Sequence, residues 1–207
     1  MTTPTLTIDH AALAASREIA RPQSAAQRRA ALEAYYQAVI GPCSDLEAFA
    51  RVSELAADLA AGDLHRYLAD MTWLIMGVQD SLLGIAVGPI GRWVEMACIR
   101  LGRPHVYRSV YRFGSTGFRA DDQGNQVQHF WHALLVTVHC GSAFADLAAR
   151  YHEWNAPGLL NCLPGTAHGH GTDMDVELSR QGIVLGQALV SGAVRPADVA
   201  GWLRRNL

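Results

Sequence analysis

Residues 44–62, SDLEAFARVSELAADLAAG, form the most regular pattern in the chain. Acidic residues and an arginine lie opposite a stripe of apolar side chains at helical spacing, formed by Leu46, Phe49, Val52, Leu55, Ala56 and Leu59. Such a stripe is typical of a surface helix that packs one face against a core. Ser44 before the pattern and Gly62 after it favour a helix start and a helix end. The pattern predicts a capped, packed helix here.

Similar signals predict helices along most of the chain. Asp9 and Ser24 can cap helices at 10–20 and 25–40. Pro89 can open a further helix, because proline is favoured in the first helical turn. The other helical patterns lie at 89–102, 127–140, 143–155, 174–192 and 195–207.

One stretch has a different period. In residues 105–114, HVYRSVYRFG, valine and arginine at 106, 108, 110 and 112 alternate with tyrosine, serine and phenylalanine at 107, 109, 111 and 113. This period of two, with β-branched and aromatic residues, is typical of a strand. Turn residues follow at 114–117 and 121–125, so we expect a hairpin. The predicted fold is mainly α, a single-domain helical bundle over 1–207. The hairpin at 103–126 separates a helical half at 1–102 from a second half at 127–207 that carries a polar cluster.

The segment at 63–88 is the most hydrophobic part of the chain and raises the question of a membrane span. Gln79 and Asp80 interrupt it, and its apolar runs are shorter than the ~20 residues that a bilayer needs. We therefore expect a buried central helix and no membrane insertion. The alternative is a non-enzymatic interaction or toxin module, which would bind a partner helix or a membrane through the glycine-lined segment 71–91.

Composition excludes several function classes. The net charge is only -2 over 207 residues, so a nucleic-acid partner is not expected. All 17 basic residues are arginine, which excludes Schiff-base and Walker-type lysine chemistry. No glycine run has the GxGxxG spacing, so we expect no nucleotide cofactor. Richness in alanine, glycine and arginine indicates a GC-rich bacterial genome.

The first residues and the cysteines bear on the compartment. MTTPTLTIDHAALAA lacks the basic and apolar regions of a signal peptide, so we expect a cytoplasmic protein, with export by another route left open. The four cysteines are scattered without a CxxC pair, which argues against a zinc ribbon. Nothing in the sequence decides whether the chain forms a homo-oligomer.

Histidines are concentrated in one part of the chain, and this is the strongest functional signal. Six of the nine lie between residues 129 and 170. Because each helical residue turns the chain by about 100°, His129, His132 and His139 project at about 0°, 300° and 280° and share one face. If the helices at 127–140 and 143–155 are antiparallel around Gly141, His152 and Glu153 return opposite His129 and His132.

The surrounding residues complete a candidate site for a small hydrolase. Arg150 lies one turn from Glu153, where it can bind an anionic group together with His152. The loop at 156–172 leaves from the same end and carries His170 towards the cluster, with Asp173 directly after it. The expected substrate is a small molecule or a polysaccharide.

Two chemistries fit these residues. In the metal-assisted version His129, His132 and His170, with Asp173 as an alternative third ligand, bind a divalent ion such as zinc, and Glu153 is the general base. The catalytic residues are then Glu153, His132 and Asp173. In the glycosidase-like version Glu153 is a general acid and Asp173 its ionised partner.

Each of these residues also has a purely structural interpretation. Histidines on an aromatic-rich helix are often core residues with internal partners. Residues 168–173, HGHGTD, can be a glycine-rich connector, and Asp173 can be the cap of the helix that follows. Convergence of the side chains decides between the two interpretations.

Overall fold

The computed structural model describes residues 24–39, 43–76, 126–155 and 173–207. Almost all of these residues are helical, and no strand occurs among them. The helices are α1 (Ala25–Val39), α2 (Asp45–Ala60), α3 (Leu64–Met76), α4 (Gln126–Cys140), α5 (Ser142–Asn155), α6 (Asp173–Val190) and α7 (Val199–Asn206), with a 3₁₀ turn at Pro196–Asp198. The mainly α prediction is confirmed.

Three predicted elements fall wholly or largely outside this part of the chain. The helices expected at 10–20 and 89–102 lie outside the described residues. Of the predicted hairpin at 103–126, residues 103–125 also lie outside them, and residue 126 begins α4 instead. The structure therefore gives the hairpin no support.

The predicted serine caps of α1 and α2 are confirmed. The Ser24 hydroxyl accepts a hydrogen bond from the backbone N–H of Gln27, while the Gln27 side chain accepts one from the Ser24 N–H. This reciprocal arrangement is a capping box. Ser44 accepts in the same way from the N–H of Glu47. Helix α2 ends at Ala60, and the chain turns away at the next residue, Ala61, whose φ of 52° is left-handed.

Helix α2 is more central than its apolar stripe predicts. The predicted residues Phe49, Val52, Leu55 and Ala56 are buried, but Ala50 and Ser53 between them are buried as well. Helices α1, α3 and α7 all pack against α2. Small side chains at the flanking positions therefore let neighbours cover several sides of this helix, and it is not a simple surface helix.

Aromatic residues at the centre of the core join the amino-terminal helices to the carboxy-terminal ones. The ring of Phe49 on α2 meets the rings of Phe130 and Trp131 on α4 edge to face, with centroids 6.4 and 6.2 Å apart. The indole N–H of the buried Trp131 donates to Thr72 Oγ1 on α3 at 3.0 Å. Because this buried donor is satisfied, the aromatic cluster also fixes how α4 lies against α3.

Two glycines bring α6 unusually close to α4. A Cβ atom on Gly182 would lie 2.2 Å from the carbonyl oxygen of Phe130, and one on Gly186 would lie 2.8 Å from Cβ of Thr137. The spacing Gly-x-x-x-Gly places both glycines on one face of α6. Any larger residue at either position would therefore force these two helices apart.

Candidate functional site

The three predicted histidines of α4 are less buried than the residues that make its core contacts. Phe130, Trp131 and Leu134 are fully buried. His129, His132 and His139 are each only partly buried. Because α4 is continuous from Gln126 to Cys140, the expectation that these imidazoles share one face is confirmed. That face is the part of α4 on which polar chemistry could occur.

A tight corner joins α4 to α5, and the two helices contact each other. A single residue, Gly141, separates the two helices, and its φ is 88°, a conformation that favours glycine. The small cluster of buried side chains at this corner is formed by Ala133, Val136, Ala145 and Ile183. Ala145, just past the corner, therefore belongs to the same cluster as two residues of α4, while the antiparallel course of the whole of α5 stays a prediction.

If α5 runs antiparallel to α4 along its whole length, as the sequence predicts, the far ends of the two helices lie at the same level. Gly141 is twelve residues from His129 and twelve from Glu153. Each helical residue advances the chain by about 1.5 Å, so equal numbers of residues cover equal distances on either side of the corner. Helix α5 ends at Asn155, which places Glu153 in its last turn, near the negative end of the helix dipole.

The convergence of the proposed site residues is not described by the structure. His170 lies outside the described residues, as do the side chains of Arg150, His152, Glu153 and Asp173. Among the side chains that are described, no group of three or more His, Cys, Asp or Glu residues could hold a metal ion. The metal site and the carboxylate pair therefore stay predictions.

Asp173 is the first residue of α6, so it lies inside the first turn and not in the position before the helix that the predicted cap requires. Asp175 lies in the same turn. Carboxylates are stabilised at that end by the positive end of the helix dipole. The catalytic role of Asp173 stays a prediction.

An open groove that the sequence did not predict lies at the opposite end of α4 from His129. Its volume is about 490 Å³, and it is lined by Ser142, Ala143, Asp146, Arg180, Ile183 and Val184. Nearby on α5, Phe144 and Leu147 are 56% and 63% exposed. Because they are three residues apart, Phe144 and Leu147 lie on one apolar face of α5. This spacing is the pattern in the sequence from which the exposed surface could be predicted.

The alternative docking segment at 71–91 is described only at its beginning. There Met71, Leu74 and Ile75 are buried in the core. Residues 77–91 lie outside the described residues. Of the helices in the described part of the chain, none has the length and apolar character that a membrane span requires.

Comparison with known proteins adds no family. No protein-family model, no curated protein and no solved structure matches the chain. Functional conclusions therefore depend on the chemistry and geometry of this chain's own residues.

Proposed function

We propose that the protein is a small hydrolase whose site lies where the histidine face of α4 meets the last turn of α5. The observation that carries this proposal is that His129 and His132 are only partly buried on a helix whose Phe130, Trp131 and Leu134 are fully buried. Two imidazoles three residues apart on a helix are neighbours, with Cβ atoms about 5–6 Å apart. They can bind one ion or one substrate group together.

Glu153 supplies the general base or acid in this proposal. Its place in the last turn of α5 is unfavourable for a carboxylate unless a cation or a histidine compensates it. We propose His129 and His132 as the compensating groups, because the predicted antiparallel arrangement of α4 and α5 would bring Glu153 opposite them. Arg150 and His152, in the same part of α5, are the proposed substrate-binding residues.

In the preferred version a divalent metal ion is bound by His129, His132 and His170. The two helical imidazoles fit this role because neutral imidazole is a common ligand of zinc and similar ions. When bound, the ion would lower the pKa of a water molecule and provide a nucleophile near neutral pH. Glu153 would accept the proton of that water, and Asp173 would orient one of the ligands.

The glycosidase-like version uses no metal. Glu153 protonates the leaving group and Asp173 stays ionised, which requires the pKa of Glu153 to be raised by apolar neighbours.

The hydrolase proposal expects segment 71–91 to be buried, as Met71, Leu74 and Ile75 at its start are. The docking alternative requires exposure of its glycine-lined part at 77–91, which lies outside the described residues.

Activity assays on variants test the proposal. Full-length untagged protein is assayed with nitrophenyl esters, phosphates and glycosides, and its metal content is measured. We expect Glu153→Ala and His132→Ala to lose activity about 100-fold or more, the usual effect of removing a general acid or base. His65→Ala is the control, because His65 is an exposed histidine on α3.

Chelation separates the two versions. If the metal-assisted version is right, a chelator abolishes activity and added Zn²⁺ restores it, whereas the glycosidase-like version is indifferent to both. The hydrolase proposal fails if no metal co-purifies and both variants keep the activity of the wild type. It also fails if none of the three substrate classes is turned over above the buffer rate.

A further inference from the structure

The described part of the chain exposes its large apolar side chains on two helices, α5 and α6. These side chains are Phe144 at 56%, Leu147 at 63%, Val184 at 49% and Val190 at 60% exposed. The two helices contact each other. On the other described helices the large apolar side chains are buried or partly buried. Apolar exposure is therefore concentrated in one part of the fold.

Three of these side chains lie in or beside the open groove between α5 and α6. Val184 lines the groove, as does Ala143 on α5. Leu147 follows Ala143 by four residues and Phe144 by three, so the three residues are neighbours on the surface of α5. We call Phe144, Leu147 and Val184 the apolar patch. An exposed apolar patch with polar residues at its rim is typical of a protein–protein interface.

The two walls of the groove carry opposite charges. Asp146 on α5 and Arg180 on α6 both line it. The Arg180 side chain is 65% exposed, and its Nη1 lies 3.8 Å from Glu177 on the same helix. Because such an exposed ion pair contributes little energy, the guanidinium can turn to another partner. A surface with one acid and one base is complementary to a copy of itself related by a two-fold axis.

We propose that the apolar patch and the charged groove form the interface of a homodimer with two-fold symmetry. The patches of the two copies pack together, and Asp146 of one copy pairs with Arg180 of the other on both sides of the axis. Helix α5 has 14 residues. At 1.5 Å per residue it is about 21 Å long, so the face of α5 and α6 is small for an interface. We therefore expect a weak dimer, with a dissociation constant on the order of 10 μM.

Sedimentation of the full untagged chain tests the interface, and it needs no enzymatic assay, so it does not depend on the hydrolase proposal. Between about 1 and 500 μM we expect the mass of the wild type to rise from that of a monomer to that of a dimer. Leu147→Glu places a charge in the apolar patch, and we expect it to weaken the dimer at least tenfold. Since Leu147 is 63% exposed, this variant should keep the helical circular dichroism of the wild type.

Charge reversal identifies the two groups that meet across the axis. Asp146→Arg and Arg180→Glu each place like charges opposite one another, so we expect each variant alone to be monomeric at concentrations where the wild type is dimeric. An equimolar mixture of the two variants restores opposite charges at both contacts, and we expect it to form a heterodimer.

Arg66→Glu on α3 is the matched control. Arg66 is 60% exposed and pairs with Asp63 three residues earlier, just as Arg180 pairs with Glu177, but it lies outside the proposed interface. This variant should dimerise as the wild type does. The proposal is overturned if the wild type stays monomeric over the whole range, or if Arg180→Glu or Leu147→Glu dimerises as the wild type does. It is also overturned if the mixture stays monomeric although both charge variants are folded.

Discussion

Two sets of residues on α4 differ in how closely the neighbouring helices approach them. We call Phe130, Trp131 and Leu134 the core face, and His129, His132 and His139 the histidine face. On the core face Trp131 is fully buried and hydrogen bonded to Thr72, and Gly182 brings α6 against the backbone at Phe130. On the other face His129 and His132 are only partly buried. We infer that the core face determines where α4 lies, whereas the histidine face can be changed with little effect on the fold.

The largest effect is expected from Trp131→Ala on the core face. It removes the most voluminous of the fully buried side chains and leaves a cavity, so we expect the free energy of unfolding to fall by about 3–5 kcal/mol. Urea denaturation measures this difference. A loss under about 1 kcal/mol would show that the aromatic cluster does not determine the position of α4.

The next effect tests the close contact between α4 and α6. In Gly182→Ala the new Cβ would meet the carbonyl oxygen of Phe130, which belongs to the backbone and cannot rotate away. We expect a loss of about 1–3 kcal/mol by the same urea assay, despite the better helix propensity of alanine.

Gly201→Ala on α7 is the matched control. There the nearest foreign atom is Nη1 of Arg205 at 3.3 Å, which belongs to a flexible side chain. We expect this variant to be neutral or to gain up to about 1 kcal/mol. Equal losses for the two glycine variants would mean that the tight helix contact is absent.

Sequence predicts the local features of this fold well and the distant contacts poorly. The sequence predicts helix α1 at 25–40, and the structure has it at Ala25–Val39. This prediction is accurate because the cap at Ser24 is a local interaction with Gln27, three positions away. The position of Gly182 against Phe130 could not be predicted, since glycine spacing alone does not say which helix lies opposite. The pairing of Arg28 with Asp70 spans 42 residues and was missed for the same reason.

The candidate site likewise combines a local feature that the sequence predicts with a distant contact that it does not predict. The shared face of His129 and His132 follows from helical geometry and was predicted from the sequence alone. Their approach to Glu153 depends on how α4 and α5 pack together, which is a property of the tertiary fold. The sequence contains one signal of that packing, Gly141. Its φ of 88° is a conformation that favours glycine, and the chain turns there from α4 into α5.

A smaller effect is expected from Thr72→Val on α3. Valine has nearly the same shape as threonine, so the change removes only the acceptor of the Trp131 indole N–H. A buried donor then lacks a partner, and we expect a loss of about 1–2 kcal/mol in urea denaturation.

Thr137→Val is the matched control for this hydrogen bond. Thr137 is also buried, but its hydroxyl donates to the carbonyl of Ala133 within the same helix. That carbonyl keeps its backbone partner when the hydroxyl is lost, so we expect a change under about 0.5 kcal/mol. If both threonine variants are equally stable, the indole hydrogen bond does not fix α4 against α3.

The smallest effect on stability is expected from His132→Ala, immediately beside Trp131. Because His132 lies on the less buried face, we expect the free energy of unfolding to change by less than about 1 kcal/mol, while hydrolytic activity is lost. Urea denaturation and the activity assay are made on the same preparation. A loss of stability above about 2 kcal/mol would show that His132 stabilises the core. The contrast between the two faces would then disappear, and the structural interpretation of the histidines would replace the catalytic one.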